Sequence, residues 1–263
     1  MKILEEEPPL ATERKLPVII DVFLYPLSAA GMIHLVIFWL GPSLLGLISR
    51  LALSRVPFGI LIALVLYIIL VAYTLYYLAC CVFDSSKGGR RAPDITVQYA
   101  PDKSDLIAQL FLILGSVAIC FWPASVYYII VRRIDSVFWL LSACGMFFFP
   151  MALLAAVLFD ATHALNPIFL IVSISKTLSK YCGLVLFYCV LGGLVAAVMS
   201  DLHNLPAPQD LSSAIMYMFV IINYFFSAAF IYKAMAIVYL ALVGAHLLGS
   251  FYWWHKDKLD WGL

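Results

Sequence analysis

Three polar side chains, Asp160, His163 and Asn166, interrupt a long apolar stretch in the middle of the chain. A carboxylate and an imidazole three residues apart can bind a metal ion or exchange protons with a substrate. No second His or Cys lies at ligand spacing beside them, so the sequence does not indicate a metal site. Asn166 precedes Pro167, an order typical of a helix start, because Asn caps helices and Pro suits the first turn. The sequence therefore favours a helix boundary here over a catalytic or metal-binding site.

Two histidines, His34 and His246, lie within long apolar segments. An ionisable side chain in a membrane-crossing segment is a candidate functional residue. Two histidines from different helices can bind haem iron from opposite sides, and an interhelical hydrogen bond explains them equally well. The sequence leaves both alternatives open and predicts no cofactor outside the haem alternative.

Lys233 and Asn223 lie ten residues apart in the apolar run 211–252, so they share a helix face only loosely. They are candidates for lining a path for an ion or a small solute. Acidic residues fall only at the ends of the apolar segments or between them, which argues against a carboxylate-driven transporter and leaves a channel open. No Ser–His–Asp, HExxH or phosphate-binding pattern is present, so we expect no enzyme.

The composition indicates the environment of these residues. Of the 263 residues, 65% are apolar and 12% are charged, and the mean hydropathy is +1.02. A soluble domain is about half apolar and about a quarter charged. The chain is therefore predicted to be an all-α, polytopic membrane protein. Its basic residues form no block of the kind that binds nucleic acid.

Six apolar segments are long enough to cross the hydrocarbon core, which takes about 20 helical residues. They are residues 29–51, 57–82, 106–131, 137–159, 182–199 and a part of 211–252. As a single helix the last run would be about 63 Å long. No Gly, Pro or Asn adjoins Lys233 to make a turn there, so one long helix is expected.

Two shorter segments are predicted to lie along the membrane surface. The segment that begins at Pro17 contains Asp21 and Pro26 and is too short to span. The segment Pro167–Tyr181 has a polar and an apolar helical face: Ser173, Lys176, Thr177 and Lys180 against Ile168, Ile171, Val172 and Leu178. This pattern is typical of an interfacial helix whose lysines point toward lipid headgroups.

The basic residues predict the orientation. With six spans, eleven Lys and Arg residues fall on one face of the membrane and four on the other. Such an excess marks the cytoplasmic side, so both termini are expected in the cytoplasm. Residues 1–16 and 253–263 are then cytoplasmic tails, and residues 17–252 form a single transmembrane helical domain. The connections predicted outside are too short for a folded catalytic domain.

Two stretches are expected at the inner membrane boundary. The segment FYWWHKDKLDW, residues 251–261, combines aromatic residues with lysines, as in the aromatic belts of membrane proteins. Lys87, Arg90 and Arg91 flank or follow a Gly-Gly pair that lacks the order of a phosphate-binding loop. We expect these three residues near anionic headgroups.

Small residues recur at every fourth position in two segments. Ala241, Ala245 and Gly249 form one such stripe, and the pairs 192/196 and 193/197 form another. Small residues at this spacing allow helices to approach closely. Packing within the bundle is favoured, and packing against a partner protein stays open.

Three segments carry a family resemblance: GGRRAPD, FFFPMALLAAVLFDATHALNP and HLLGSFYWWHKDKLDW. With them, the chain after Pro17 resembles a group of uncharacterised bacterial multi-spanning membrane proteins that are loosely similar to the Yip-type membrane domain. The resemblance implies an integral protein of the bacterial inner membrane with a scaffold or trafficking-like role. It implies no catalytic residue.

The expected function follows from these patterns. We expect a non-enzymatic accessory, scaffold or assembly subunit of a larger inner-membrane complex. Its expected partners are the lipid bilayer and other membrane subunits, which it would contact through helix packing and its cytoplasmic face. A transporter or channel and a haem- or quinone-binding redox subunit are the alternatives.

Overall fold

The structure is a computed structural model that describes residues 18–51, 59–94, 103–159, 166–203, 228–259 and 261. These residues are almost all helical and include no strand. The helices are α1 (Val18–Leu24), α2 (Ala29–Leu51), α3 (Gly59–Ser86), α4 (Lys103–Val131), α5 (Ser136–Phe159), α6 (Pro167–His203) and α7 (Ala228–Leu259), and a 3₁₀ turn (Tyr25–Leu27) precedes α2.

Five of these helices are long and apolar enough to cross a membrane. The apolar stretches are Leu64–Ser86, Ile107–Val131, Ser136–Phe159, Pro167–Ala197 and Lys233–Leu259. The segments Ile20–Leu27 and Ala29–Pro42, which meet at a bend of 65°, provide a sixth span if they count as one. The chain therefore has the architecture of a multi-pass helical membrane protein.

Helices α3 and α7 pack against each other with little space between their backbones. A Cβ atom on Gly249 would collide with the carbonyl oxygen of Val82 and would lie 2.6 Å from the Cβ of Ser85. Ala245, one turn earlier, is also buried. The small residues of α7 therefore pack within the bundle, as their spacing predicts.

The segment Pro167–Tyr181 is not a separate interfacial helix, contrary to expectation. It is the first part of α6, a continuous helix of 37 residues, about 55 Å long. Gly183, close to the expected junction of the two segments, does not interrupt the helix, because an isolated glycine costs a helix only about 1 kcal/mol. The buried side chains of Tyr181 and Leu184 hold the helix on both sides of it.

The faces of this segment are also opposite to the prediction. Ser173 and Thr177 are buried, and the apolar face is exposed, at 70% for Ile168, 53% for Ile171, 48% for Val172 and 49% for Leu178. Apolar side chains that face outward are what a lipid environment requires, because hydrocarbon solvates them and polar groups find partners inside. Lys176 and Lys180 are exposed beside them.

The segment after Pro17 does form a short separate helix, α1. The Tyr239 hydroxyl donates a hydrogen bond to the carbonyl oxygen of Phe23, at 2.6 Å, so α1 lies against α7. The 3₁₀ turn at Pro26 then bends the chain by 65° into α2, and Gly31 of α2 leaves no room for a side chain next to the Pro26 carbonyl.

Helix α7 includes Lys233 without a turn, as the absence of turn residues predicts. The part of the apolar run before residue 228 lies outside the described residues. At the other end the helix continues to Leu259, so most of the segment expected as a C-terminal tail is helical.

A short polar turn joins α4 to α5. Arg132 adopts a left-handed conformation with φ of 55°. Asp135 caps α5, because its Oδ1 accepts hydrogen bonds from the backbone N–H groups of Val137 and Phe138, both at 3.1 Å. The Tyr127 hydroxyl donates to its Oδ2 at 2.6 Å. These hydrogen bonds lower the pKa of Asp135 below its usual value, and the one from Tyr127 has the largest effect.

Candidate functional site

The predicted helix boundary at Asn166 is confirmed. Its side-chain Oδ1 accepts a hydrogen bond from the backbone N–H of Ile168 at 3.0 Å, and its carbonyl oxygen accepts one from Leu170 at 3.1 Å. Asn166 is therefore the N-cap of α6. Asp160 and His163 lie outside the described residues.

The structure describes one of the two residues suggested for a solute path. Lys233 is exposed on the first turns of α7. Asn223 lies outside the described residues. His34, which would line such a path in the transporter or channel alternative, is fully buried.

His34 is held on α2 by three contacts. Its Nδ1 donates to the carbonyl oxygen of Ala30 at 2.8 Å, because a carbonyl can only accept. In the neutral ring, Nε2 then accepts from the Tyr73 hydroxyl on α3 at 3.2 Å. The ring stacks on Tyr77, with centroids 3.8 Å apart and planes 11° apart. Nε2, the nitrogen through which His34 could bind haem iron, is thus engaged with Tyr73.

His246 is held on α7 in a similar way. Its Nδ1 lies 2.7 Å from the Oγ of Ser85 on α3. Its ring stacks on Tyr25 of the 3₁₀ turn, with centroids 4.0 Å apart and planes 12° apart. The side chains of all three residues are buried.

A single buried thiol connects the two histidines. Cys81 of α3 is fully buried and lies beside the hydroxyls of Tyr25 and Tyr77. We call this group the histidine–tyrosine cluster: Tyr25, His34, Tyr73, Tyr77, Cys81, Ser85 and His246. It joins α2, α3, α7 and the 3₁₀ turn by hydrogen bonds and ring stacking. This geometry matches the interhelical hydrogen-bond interpretation of His34 and His246.

The α3 members of this cluster were not predicted as partners of the two histidines. Tyr73, Tyr77, Cys81 and Ser85 recur at every fourth position of an otherwise apolar helix. Residues at this spacing share one helix face, so the signal was available. The partner helices could not be read from it.

The end of α3 forms a second polar region. Gly88 adopts φ of 92°, and the backbone N–H groups of Gly88 and Gly89 donate to the carbonyl oxygens of Ser85 and Asp84 at 3.1 and 3.0 Å. This is a Schellman motif, which ends a helix with a left-handed glycine. The absence of a Cβ also lets the ring of Trp253 pack on Gly88.

Two lysine side chains lie over aromatic rings at this end of the bundle. The Nζ of Lys256 lies 4.2 Å from the ring centroid of Trp253, and the Nζ of Lys87 lies 4.4 Å from that of Phe83. Both distances suit cation–π contacts. The following loop is tied down, because the backbone N–H of Ala92 donates to the Oγ of Ser28 at 3.2 Å.

The aromatic segment at residues 251–261 is only in part the belt that the sequence predicts. Trp253 and Trp254 are exposed, whereas Phe251, Tyr252 and Trp261 are buried. The Nε1 of Trp261 donates to the Oγ of Ser173 at 3.0 Å, and its ring packs against Phe159, Phe169 and Tyr252. Trp261 thus joins the ends of α5 and α7 to the start of α6.

Within the described part of the chain, no group of three His, Cys, Asp or Glu side chains is placed to hold a metal ion. In comparisons with known proteins, the chain matches no family model, no curated protein and no solved structure. The class that the fold defines is a multi-pass helical membrane protein with a buried polar and aromatic cluster.

Proposed function

We propose that this protein is a non-enzymatic accessory, scaffold or assembly subunit of a larger complex in the bacterial inner membrane. In this proposal it has six spans and two cytoplasmic termini. Its likeness to the Yip-type membrane domain is part of the same proposal.

The observation that carries the proposal is how the buried polar side chains of the histidine–tyrosine cluster are used. His34 contacts α3, His246 contacts α3, and Cys81 contacts both Tyr25 and Tyr77. Polar side chains that bond across helices in this way hold a membrane bundle in one arrangement. A transport path instead presents such groups to a passing solute.

Two more tyrosines have the same role elsewhere in the bundle. The Tyr188 hydroxyl on α6 donates to the carbonyl oxygen of Gly244 on α7 at 3.2 Å. The Tyr181 hydroxyl contacts the backbone of α5 at Phe147 and Met151. A rigid bundle of this kind suits a protein that positions other subunits.

The outer surface of α6 supports the subunit role. Only 17% of the most apolar stretch of α6 is buried within the bundle, compared with 50% for that of α7. Leu186 and Val190 are exposed at 67% and 59%, and a Cβ on the exposed Gly193 would meet nothing within 4 Å. Small residues on an outward face allow another helix to approach closely.

Native purification from source membranes in mild detergent tests the proposal, with the mass and the partner identities as readout. We expect stoichiometric co-purification with other membrane subunits. Gly193→Leu should release them without unfolding the chain, and Gly115→Leu on α4, whose Cβ would also meet nothing within 4 Å, is the matched control. A lone monomer or homo-oligomer would contradict the proposal.

Two functional assays separate the alternatives. A solute flux in proteoliposomes that disappears in Lys233→Ala would identify a transporter or channel. A haem absorption band in the purified protein that is lost in His34→Ala would identify a redox subunit. The scaffold proposal expects neither signal.

A further inference from the structure

A cavity of about 200 Å³ lies between α3, α4 and α5. Its wall includes Tyr76, Cys80, Phe83, Gln109, Leu158 and Phe159. The cavity lies at one end of the bundle, since Phe83 is near the last residue of α3 and Phe159 is the last residue of α5. It is separate from the histidine–tyrosine cluster, whose side chains are not among those that line it.

The size and shape of the cavity limit what it can hold. An apolar cavity of about 150 Å³ binds benzene, so 200 Å³ accommodates roughly eight non-hydrogen atoms. Most drug-sized ligands occupy about 300 Å³ or more. The wall extends along α3 from Tyr76 to Phe83, a rise of about 10 Å. A slender apolar chain fits this space better than a compact polar molecule.

The lining residues are mostly apolar or aromatic, but they include the buried Gln109, and one positive charge lies beside the cavity. The Nζ of Lys87 lies 4.4 Å from the ring centroid of Phe83, and Phe83 is part of the wall. Lys87 is exposed, so its ammonium group can meet a charged group outside the cavity. Its neighbour Asp84, which is half-buried, can carry the opposite charge, and Gly89 has no room for a side chain next to that carboxyl.

We propose that this cavity binds the acyl chain of an anionic amphiphile, with Lys87 beside the negative headgroup. A free fatty acid and an anionic bilayer phospholipid share this chemistry. Basic residues at a membrane surface attract such headgroups, and the aromatic wall receives the hydrocarbon. The inference is independent of the scaffold role, because it depends only on α3, α4, α5 and Lys87, the residue that follows α3.

Cys80 allows a direct test, since it lines the cavity and is partly exposed. The protein is reconstituted in phosphatidylcholine nanodiscs and alkylated with N-ethylmaleimide, and the modified peptides are quantified by mass spectrometry. Laurate at ten times its dissociation constant should slow Cys80 alkylation about tenfold. Cys144, exposed on α5, is the internal control and should react at an unchanged rate.

Charge and chain length sharpen the test without any substitution. Dodecyltrimethylammonium has the same tail with a positive head and should protect Cys80 far less than laurate. Protection by fatty acids should rise with chain length and level off near eight carbons. Equal Cys80 rates with and without laurate, or equal protection by the two amphiphiles, would overturn the proposal.

Two variants test the assigned residues. Ala79→Phe fills the cavity, because Ala79 lines it and is buried, and should abolish the effect of laurate. Ala118→Phe, at an exposed position of α4, is its control and should preserve that effect. Lys87→Gln should make laurate and the cationic amphiphile equally protective.

The composition of the bilayer distinguishes a phospholipid from a free fatty acid as the source of the bound acyl chain. If a phospholipid is the occupant, nanodiscs that contain phosphatidylglycerol should protect Cys80 in the absence of laurate. If a free fatty acid is the occupant, Cys80 should react equally fast in both bilayers and be protected only when laurate is added. Either result supports the cavity as a site for an anionic amphiphile.

Discussion

The Oγ of Ser85 on α3 and the Nδ1 of His246 on α7 lie 2.7 Å apart, and both side chains are buried. Ser85→Ala should therefore destabilise the bundle by about 1–2 kcal/mol, because a buried ring nitrogen loses this partner. The measurement is the free energy of unfolding in detergent, by heat or by SDS titration.

Ser116→Ala is the matched control for this substitution. Ser116 is also fully buried, but its hydroxyl donates to the carbonyl of Ile113 in the same helix, at 2.7 Å. That carbonyl keeps its place in the helix when the hydroxyl is removed, so a loss of less than about 0.5 kcal/mol is expected. Equal losses of stability in the two variants would show that the hydrogen bond between α3 and α7 contributes no more than one within a single helix.

Gly249→Ala should prevent α7 from packing against α3. The new Cβ would lie 2.6 Å from the Cβ of Ser85 and 2.9 Å from the backbone nitrogen of Ser86. Both atoms are fixed to the backbone of α3 and cannot move away without shifting that helix. Overpacking of this kind costs about 1–3 kcal/mol. Gly193→Ala is the control, since its Cβ would meet nothing within 4 Å, and Ala should stabilise the helix by up to about 1 kcal/mol. Thermal unfolding of both variants would reveal the opposite signs.

Trp261→Ala should cost about 3–5 kcal/mol, as is usual for a buried aromatic residue. It removes the ring between Phe159 and Phe169 and the hydrogen bond to Ser173. Trp261→Phe should recover most of this loss, because it restores ring packing without the N–H group. The exposed Trp254 is the control position, where Ala should change the unfolding temperature little.

The cap at Asp135 predicts a dependence of stability on pH. Its pKa is lowered in the folded protein, first by the Tyr127 hydroxyl and then by the backbone of Phe138. A lowered pKa contributes stability that is complete above the unfolded value of about 3.9 and is lost as pH falls through the folded value. Asp135→Ala should therefore be less stable than the unmodified chain at pH 7, and the difference should shrink below pH 4. A constant difference between pH 3 and 7 would contradict this assignment.

Much of the helical architecture could be predicted from the apolar segments alone. The segment predicted as 29–51 is α2, and the segment predicted as 137–159 differs from α5 by one residue at its start. Asn166 was recognised as a cap because the Asn-Pro order has a local cause. Local chemistry and span length are both visible along the chain.

What could not be predicted depends on which surfaces meet. Ser173 and Thr177 were assigned to a headgroup-facing side because they share a helical face with Lys176 and Lys180, as in an interfacial amphipathic helix. Here they are buried, and Ile168 is exposed at 70%, since hydrocarbon surrounds the bundle. The pairing of Ser85 with His246 was equally hidden, because nothing in either helix specifies its neighbour.

The pairing of α3 with α7 has a consequence for biosynthesis. Ser85 and His246 are separated by 161 residues, which take roughly 8–32 s to synthesise at about 5–20 residues per second. During that interval α3 is already made, while Ser85 has no His246 beside it. A nascent chain that stops before α7 therefore presents an unfilled polar face in the membrane, a feature that a membrane protease or an insertion chaperone can recognise.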